Sequence, residues 1–173
     1  MMNPRFYSLV AIVLVVSLYR IVPHPPNFTP VLAMALFAGV HFNDRRLAVI
    51  VPLVAMLIAD LFLGLHATLP FVYAALLLLV MAGDWLRQRK TVTNVAAVAV
   101  GASVVFFLLT NFGVWLTLPA VYPQTFEGLL AAYVAAIPFY QNTLLSTLLF
   151  TGILFGGFQL LEHRYPRLIE ERP

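Results

Sequence analysis

Residues 45–64 read RRLAVIVPLVAMLIADLFLG, in which two arginines lead into a long and almost entirely apolar run. A helix that crosses the hydrocarbon core of a bilayer needs about 20 mostly apolar residues. The segment from Leu47 to Gly64 has that length and carries one acidic residue, Asp60, near its far end. It therefore predicts a membrane-spanning helix with positive charge at one end and a carboxylate near the other.

Four more apolar segments are long enough to span a bilayer, and a fifth is shorter. The long ones are approximately Phe6 to Val22, Leu69 to Leu86, Val95 to Leu118 and Thr143 to Leu161. Pro30 to Phe42 is also predicted to cross, because otherwise Arg45 and Arg46 would lie on the opposite side from Arg5. With 62% hydrophobic and 10% charged residues, and a mean hydropathy of +0.93, the composition excludes an ordinary soluble domain.

The basic residues orient these segments. Nine of the ten lysines and arginines fall into alternate gaps, and Arg20 alone falls into the other set of gaps. The nine are Arg5, Arg45, Arg46, Arg87, Arg89, Lys90, Arg164, Arg167 and Arg172. Positive residues in short loops are retained in the cytoplasm, so both termini are predicted to be cytoplasmic. The loops near residues 21–29, 64–70 and 118–140 would then face the exterior.

The stretch that contains the last span is too long to cross a bilayer as one helix. As one helix, Gly128 to Leu161 would measure about 51 Å, against a hydrocarbon core of about 30 Å. Pro138 offers a break, so Gly128 to Ile137 is predicted to be a separate short external helix. The predicted fold class is all-α, an integral membrane bundle of six transmembrane helices. It forms one domain over residues 1–173 and lies in the inner (cytoplasmic) membrane as a monomer.

Small residues four positions apart predict close contacts between helices. Such spacing occurs at Ala35 and Gly39, at Ala97 and Gly101, and at Gly152 and Gly156. Packing within the monomer is favoured over a dimer interface, because every helix bundle needs such seams.

The polar residues of the apolar segments converge on the predicted outer third of the bundle. Asp60 is the strongest candidate, because a carboxylate inside a membrane segment indicates a functional site. The predicted substrate-binding residues are His24, Asn27, Asp60, His66, Tyr73, Asn111, Trp115, Tyr140 and Asn142. Structural roles remain open for several of them, since aromatic residues anchor membrane interfaces and polar residues bridge membrane helices.

Several function classes have no motif in the chain. It contains no cysteine, no GxSxG nucleophile turn, no HExxH pair and no phosphate-binding Walker sequence. We therefore predict no enzymatic activity, no cofactor and no nucleic-acid partner. His24, Asp60 and His66 could supply oxygen and imidazole ligands to a divalent metal, but their spacing is not diagnostic, and no metal site is predicted.

Three stretches carry a resemblance to known membrane proteins: residues 23–30 (PHPPNFTP), residues 60–64 (DLFLG) and residues 110–115 (TNFGVW). They resemble a family of small bacterial membrane proteins regarded as putative transporters. The six-helix plan is also similar to the substrate-binding S components of energy-coupling factor vitamin transporters. In the cobalamin-specific S components, a histidine in the first external turn and an aspartate ending the third helix occupy places comparable to His24 and Asp60. The chain departs from these families by lacking a cysteine toward cobalt and a small-xxx-small alanine pair in its first helix.

These observations predict a membrane protein that binds a small vitamin or cofactor precursor in an outward-facing pocket and takes part in its uptake. The resemblance implies a cobalamin-like compound as one candidate ligand and an energising transmembrane and ATPase module as a partner. A divalent-metal or proton-coupled permease and a non-transporting membrane assembly subunit remain the alternatives.

Overall fold

The computed structural model describes residues 4–169, in which there are six α-helices and no β-strand. The helices are α1 (Pro4–Leu18), α2 (Val31–His41), α3 (Arg45–Leu63), α4 (Leu69–Leu86), α5 (Val92–Thr117) and α6 (Phe126–Arg164). Short 3₁₀ turns follow α1, α4 and α6, at Tyr19–Ile21, Arg87–Arg89 and Pro166–Leu168. All helices except α2 are long and apolar enough to cross a membrane when the 3₁₀ turns that continue α1 and α4 are included. The predicted all-α class and the six helices are confirmed. Arg172, one of the nine alternating basic residues, lies outside the described part of the chain.

Local side chains define where several helices begin and end. Asp44, Thr91 and Thr125 precede α3, α5 and α6, and each accepts a hydrogen bond from a backbone N–H of the first turn. Such N-caps satisfy donors that have no partner within the helix. Gly64 ends α3 with a φ of 97°, a conformation that glycine adopts without steric cost.

Helix α2 lies at the centre of the bundle. Every residue from Val31 to His41 is buried, and α2 packs against each of the other five helices. At about 1.5 Å per residue it is about 16 Å long, roughly half the thickness of the hydrocarbon core. A helix that is apolar all round is a buried helix. The shortness of this segment is therefore explained by its surroundings, which are protein rather than lipid.

Helices α2 and α4 approach each other closely at two glycines. A β-carbon added at Gly39 would collide with the backbone carbonyl oxygen of Val80, and one added at Gly83 would collide with that of Leu36. The predicted seam at Ala35 and Gly39 is therefore confirmed. Gly101, Gly152 and Gly156 have open space where a β-carbon would stand, so the prediction of packing within the monomer was wrong at these three glycines.

Helix α6 also differs from the prediction. It runs without interruption from Phe126 to Arg164 with Pro138 inside it, so the separate external helix at Gly128 to Ile137 was wrong. Aromatic contacts on both sides of Pro138 hold α6 against α5. The rings of Tyr133 and Tyr140 both contact Phe107, and the Tyr133 hydroxyl donates to the carbonyl of Leu108 at 2.8 Å. These contacts flank the proline, which removes one backbone hydrogen bond from the helix.

The helix ends gather into two groups of charged residues. At the first, called the Arg5 end, Arg5 pairs with Glu162 at 2.5 Å, while Arg45 and Arg87 pair with Asp84 at 3.0 and 3.1 Å. At the opposite, Asp60 end, Arg20 pairs with Asp60 at 2.5 Å. Within residues 4–169, the basic residues that the charge pattern assigned to one side therefore share one end of the bundle, and the exception, Arg20, lies at the other.

Replacing Gly83 by valine should destabilise the bundle. The added side chain would force α2 and α4 apart, and overpacking of this kind costs about 1–3 kcal/mol. Thermal unfolding of the detergent-solubilised protein measures the effect. Gly101→Val is the matched control, because the space beside Gly101 is open. Equal melting temperatures for the two variants would contradict the close approach of α2 and α4.

Candidate functional site

Asp60 is the centre of a buried polar cluster at the Asp60 end. Its side chain is 0% exposed, and both carboxylate oxygens are engaged. Arg20 Nη1 donates to Oδ1 at 2.5 Å, and the Tyr73 hydroxyl donates to Oδ2 at 2.8 Å. Arg20 Nη1 also lies 3.1 Å from the sulfur of Met56. An isolated charge in an apolar interior is very costly, so each member of this cluster requires the others.

The cluster joins three helices at their ends. Arg20 lies in the 3₁₀ turn after α1, Asp60 lies in the last turn of α3, and Tyr73 lies in the first turns of α4. Helices α1 and α3 both end at this level and α4 begins there, so the three helix ends meet. The carboxylate is therefore a structural anchor as well as a member of the site.

A cavity of about 480 Å³ lies beside this cluster. Its apolar wall comes from α2, α3, α4 and α5 and includes Leu32, Met56, Val72 and Phe106. Its polar lining consists of Arg20, His24, Asn27, Thr29, His66, Thr68, Thr110, Asn111 and Thr143. Ligand sites combine apolar walls with placed polar groups, and in this cavity polar and apolar residues contribute in similar measure.

Four of the nine predicted binding residues line this cavity: His24, Asn27, His66 and Asn111. Asn111 donates through its side-chain amide to the carbonyl of Phe107 at 2.8 Å, one turn back on α5. His24 and His66 each use Nδ1 in a local contact, with the carbonyl of Val22 at 2.6 Å and the hydroxyl of Thr68 at 2.7 Å. In each histidine the second ring nitrogen makes no hydrogen bond within residues 4–169.

Asn27 has an unusual backbone conformation, with a φ of 60°. Asparagine tolerates the left-handed region better than most residues other than glycine. The turn brings the Asn27 carbonyl within 3.5 Å of the Ser146 hydroxyl on α6. The loop that carries His24 and Asn27 is thus held against α6 at the rim of the cavity.

Asp60 and Tyr73 lie behind the cavity wall and reach the cavity only through Arg20. Both oxygens of Asp60 are already paired inside the bundle, and its role as a substrate-binding residue stays a prediction. The three described residues act as one unit, in which Arg20 is the member that lines the cavity.

Trp115, Tyr140 and Asn142 do not line this cavity. Trp115 Nε1 donates to the carbonyl of Pro123 at 3.0 Å and so fixes the connection from α5 to α6. The Tyr140 hydroxyl lies 3.2 Å from that of Ser103, in the seam between the same helices. Asn142 donates to the carbonyl of Pro26 at 3.0 Å and ties α6 to the first loop. Structural hydrogen bonds therefore account for the polar groups of these three side chains.

Arg20 and Thr110 are cavity residues that the sequence-based prediction missed. A signal for Arg20 was present, since it is the one basic residue that breaks the alternation along the chain. Opposite charges inside a membrane usually pair, so Arg20 and Asp60 could have been matched from the sequence. Thr110 carried no comparable signal. Its hydroxyl donates to the carbonyl of Phe106 at 2.8 Å, a common contact for threonine within a helix.

His24, Asp60 and His66 do not come together as a metal site. Within residues 4–169 no group of three or more histidine, aspartate or glutamate side chains is placed to hold a metal ion. Asp60 is withdrawn behind Arg20, which places a positive charge where a cation would have to approach.

A sequence profile of a protein family matches residues 1–168, nearly the whole chain. The chain belongs to DUF6580. That family is described as a family of unknown function, so membership assigns neither a ligand nor a reaction. No curated protein and no solved structure matches the chain.

Asp60→Asn should destabilise the protein by about 3 kcal/mol, because it leaves Arg20 charged and without its carboxylate in a mostly buried place. Asp84→Asn is the matched control. Asp84 pairs with two arginines but is 25% exposed, and ion pairs near the surface contribute about 1 kcal/mol or less. Thermal unfolding in detergent compares the two variants. The double variant Asp60→Asn with Arg20→Gln should recover part of the lost stability. If Asp60→Asn unfolds at the same temperature as the unchanged protein, the anchoring role is refuted.

Proposed function

We propose that this chain is a membrane protein that binds a small organic solute at the Asp60 end and takes part in its uptake into the cell. The observation that carries the proposal is the cavity beside Arg20, which has a polar lining inside a bundle of apolar helices. Polar and ionisable groups are costly inside a membrane and usually mark the path or site of a substrate. Packing of the bundle alone does not require these groups around an open space.

The lining favours a solute that carries hydrogen-bond acceptors and negative charge. Within residues 4–169, Arg20 engages only Nη1, with Asp60 and Met56. Its other guanidinium N–H groups can donate to a carboxylate or carbonyl in the cavity. Asn111, Thr29 and the two histidines add polar groups around the same space. The ligand class is therefore an organic acid or a carbonyl-rich vitamin or cofactor precursor.

The volume of the cavity restricts the size of the ligand that it can hold. Cavities of about 300–1,000 Å³ hold drug-sized ligands, and this one falls near the lower limit. A complete cobalamin is much larger than such a ligand and would require the bundle to open. A smaller precursor fits the volume better, so the cobalamin-like compound implied by the resemblance is the less favoured ligand.

The charge distribution supports an orientation with the Arg5 end in the cytoplasm. Apart from Arg20, which Asp60 neutralises, the basic residues belong to the gaps at the Arg5 end. Retention of positive loops then places both termini inside the cell and the Asp60 cavity outside, with the protein in the inner membrane. The chain has no nucleotide-binding motif, so the proposal includes a separate energising module, as in the transporters it resembles.

The orientation is tested with a reporter that is active only in the cytoplasm. Fusions after Arg46, Lys90 and Pro173 should be active, because these positions lie in the predicted cytoplasmic set of gaps. A fusion after Ala67 should be inactive. Activity after Ala67 would place the Asp60 end inside the cell and contradict uptake from the exterior.

Ligand binding is tested by mass spectrometry of small molecules that co-purify with the detergent-solubilised protein, followed by calorimetric titration of the molecule found. Asn111→Ala should weaken binding roughly tenfold, because it removes one polar contact in the cavity. Thr110→Val should weaken binding to a lesser extent, since its hydroxyl also serves the helix backbone.

Thr117→Val is the matched control for the binding experiment. Thr117 also donates to a carbonyl one turn back on α5, at 2.7 Å, but it does not line the cavity. It should bind the solute with unchanged affinity. Unchanged affinity in Asn111→Ala and Thr110→Val as well would exclude this cavity as the site. Absence of any saturable ligand would favour the non-transporting assembly subunit, and proton-driven uptake without an ATPase would favour the permease.

A further inference from the structure

A second cavity, of about 620 Å³, lies at the Arg5 end. It occupies the space between the beginning of α5 and the second half of α6, and His41 of α2 also lines it. Val95, Phe155 and Leu148 supply apolar walls, while Lys90 and Glu162 lie toward the end of the bundle. Gly152 and Gly156 line this space, which explains why no atom lies where their β-carbons would stand.

Thr151 is the unusual residue of the second cavity. It is 4% exposed, yet its hydroxyl makes no hydrogen bond within the described residues. Thr147, one turn earlier on α6, donates to the carbonyl of Thr143 at 2.6 Å, as buried helical threonines commonly do. Buried hydroxyl groups are nearly always paired, so an unpaired one that lines a cavity indicates a partner within that cavity.

A row of hydroxyl groups on α6 connects the two cavities. Thr143, Thr147 and Thr151 are spaced four residues apart and therefore lie on one face of the helix. Thr143 lines the cavity at the Asp60 end, and Thr151 lines the cavity at the Arg5 end. All three are buried, and Ser146 lies beside them. The first and last are about 12 Å apart along the helix axis.

We propose that the cavity at the Arg5 end is a second, water-filled binding site for the same anionic solute, open to the opposite side of the membrane from the first. The hydroxyl row on α6 marks the route between the two sites. This inference rests on the proposed function. The Thr151 hydroxyl and the Lys90 ammonium group are the donors for the acidic or carbonyl groups of the solute.

The unpaired hydroxyl of Thr151, far from the end of the bundle, favours a solute over a membrane lipid as the occupant of the second cavity. Thr151 lies about 16 Å along α6 from Glu162, which pairs with Arg5 at the end of the bundle. A lipid whose head group contacted Lys90 would place its acyl chain against Thr151. Hydrocarbon has no acceptor for a hydroxyl group, so the unpaired donor would remain unpaired.

The absence of cysteine from the chain makes a direct experiment available. Gly152→Cys places one thiol in the second cavity, where there is room for the side chain. Ile153→Cys is the matched control, at nearly the same depth on α6 but on an exposed apolar surface outside the cavity. Each variant is reconstituted in vesicles and treated with sulfonatoethyl methanethiosulfonate, an anionic thiol reagent that does not cross membranes.

Gly152→Cys should react roughly tenfold faster than Ile153→Cys when the reagent is on the Arg5 side, because thiolate forms in water and not in lipid. Thr110→Cys should react only from the other side. Adding Lys90→Gln should slow the anionic reagent at Gly152→Cys but not a trimethylammonium analogue. Equal rates at residues 152 and 153, or labelling of Gly152→Cys from the Asp60 side, would overturn the proposal.

Two further measurements separate the alternatives. If a lipid head group fills the cavity, vesicles rich in anionic phosphatidylglycerol should suppress labelling of Gly152→Cys relative to pure phosphatidylcholine, and this result would refute a solute site.

Thr151→Val should leave the melting temperature unchanged, whereas a loss as large as that of Thr147→Val would mean that the hydroxyl is structural. If these tests fail while the solute still binds in the cavity that contains Asn111, only the proposal of a second site is refuted. Labelling as expected without any co-purifying solute would instead overturn the solute assignment of both cavities.

Discussion

The architecture depends on enclosing one short helix. Helix α2 returns the chain from the Asp60 end to the Arg5 end in only 11 residues and is buried along its whole length, packed against the other five helices. Its last carbonyl groups have no partner within the helix. Arg87, from the turn after α4, donates to the carbonyl oxygen of Gly39 in the last turn of α2 and to those of Phe42 and Asn43 just beyond the helix. The glycine contact between α2 and α4 permits this capping, because it lets the two backbones approach closely.

The bundle holds both partly exposed and mostly buried ion pairs, and the mostly buried ones, Arg5 with Glu162 and Arg20 with Asp60, lie at opposite ends. At the Arg5 end the ion pairs of Arg45 and Arg87 with Asp84 are partly exposed, and they contribute little to stability individually. At the Asp60 end the single pair is almost completely buried, and its loss would leave a charge inside the bundle. The same pair presents a guanidinium group to the neighbouring cavity. A stabilising contact and a ligand-facing group are thus parts of one cluster.

The position of α2 also bears on how a solute could move. The helix stands between the two cavities, with Leu32 at the first and His41 at the second. Since α2 is packed tightly along its length, a path through its centre is closed. The face of α6 that carries Thr143 and Thr151 is the polar surface that reaches both cavities.

The sequence by itself determined the all-α class, the six helices and the grouping of the basic residues at one end. These follow from hydrophobic length and charge position, which are properties of single segments. It also located four cavity residues, because polar side chains in apolar segments are conspicuous. Only the tertiary structure decided that Pro138 lies within a continuous α6, that Asp60 is occupied by Arg20 and Tyr73, and that Gly152 faces open space. Each of these depends on which surfaces of different helices meet, and no single segment carries that information.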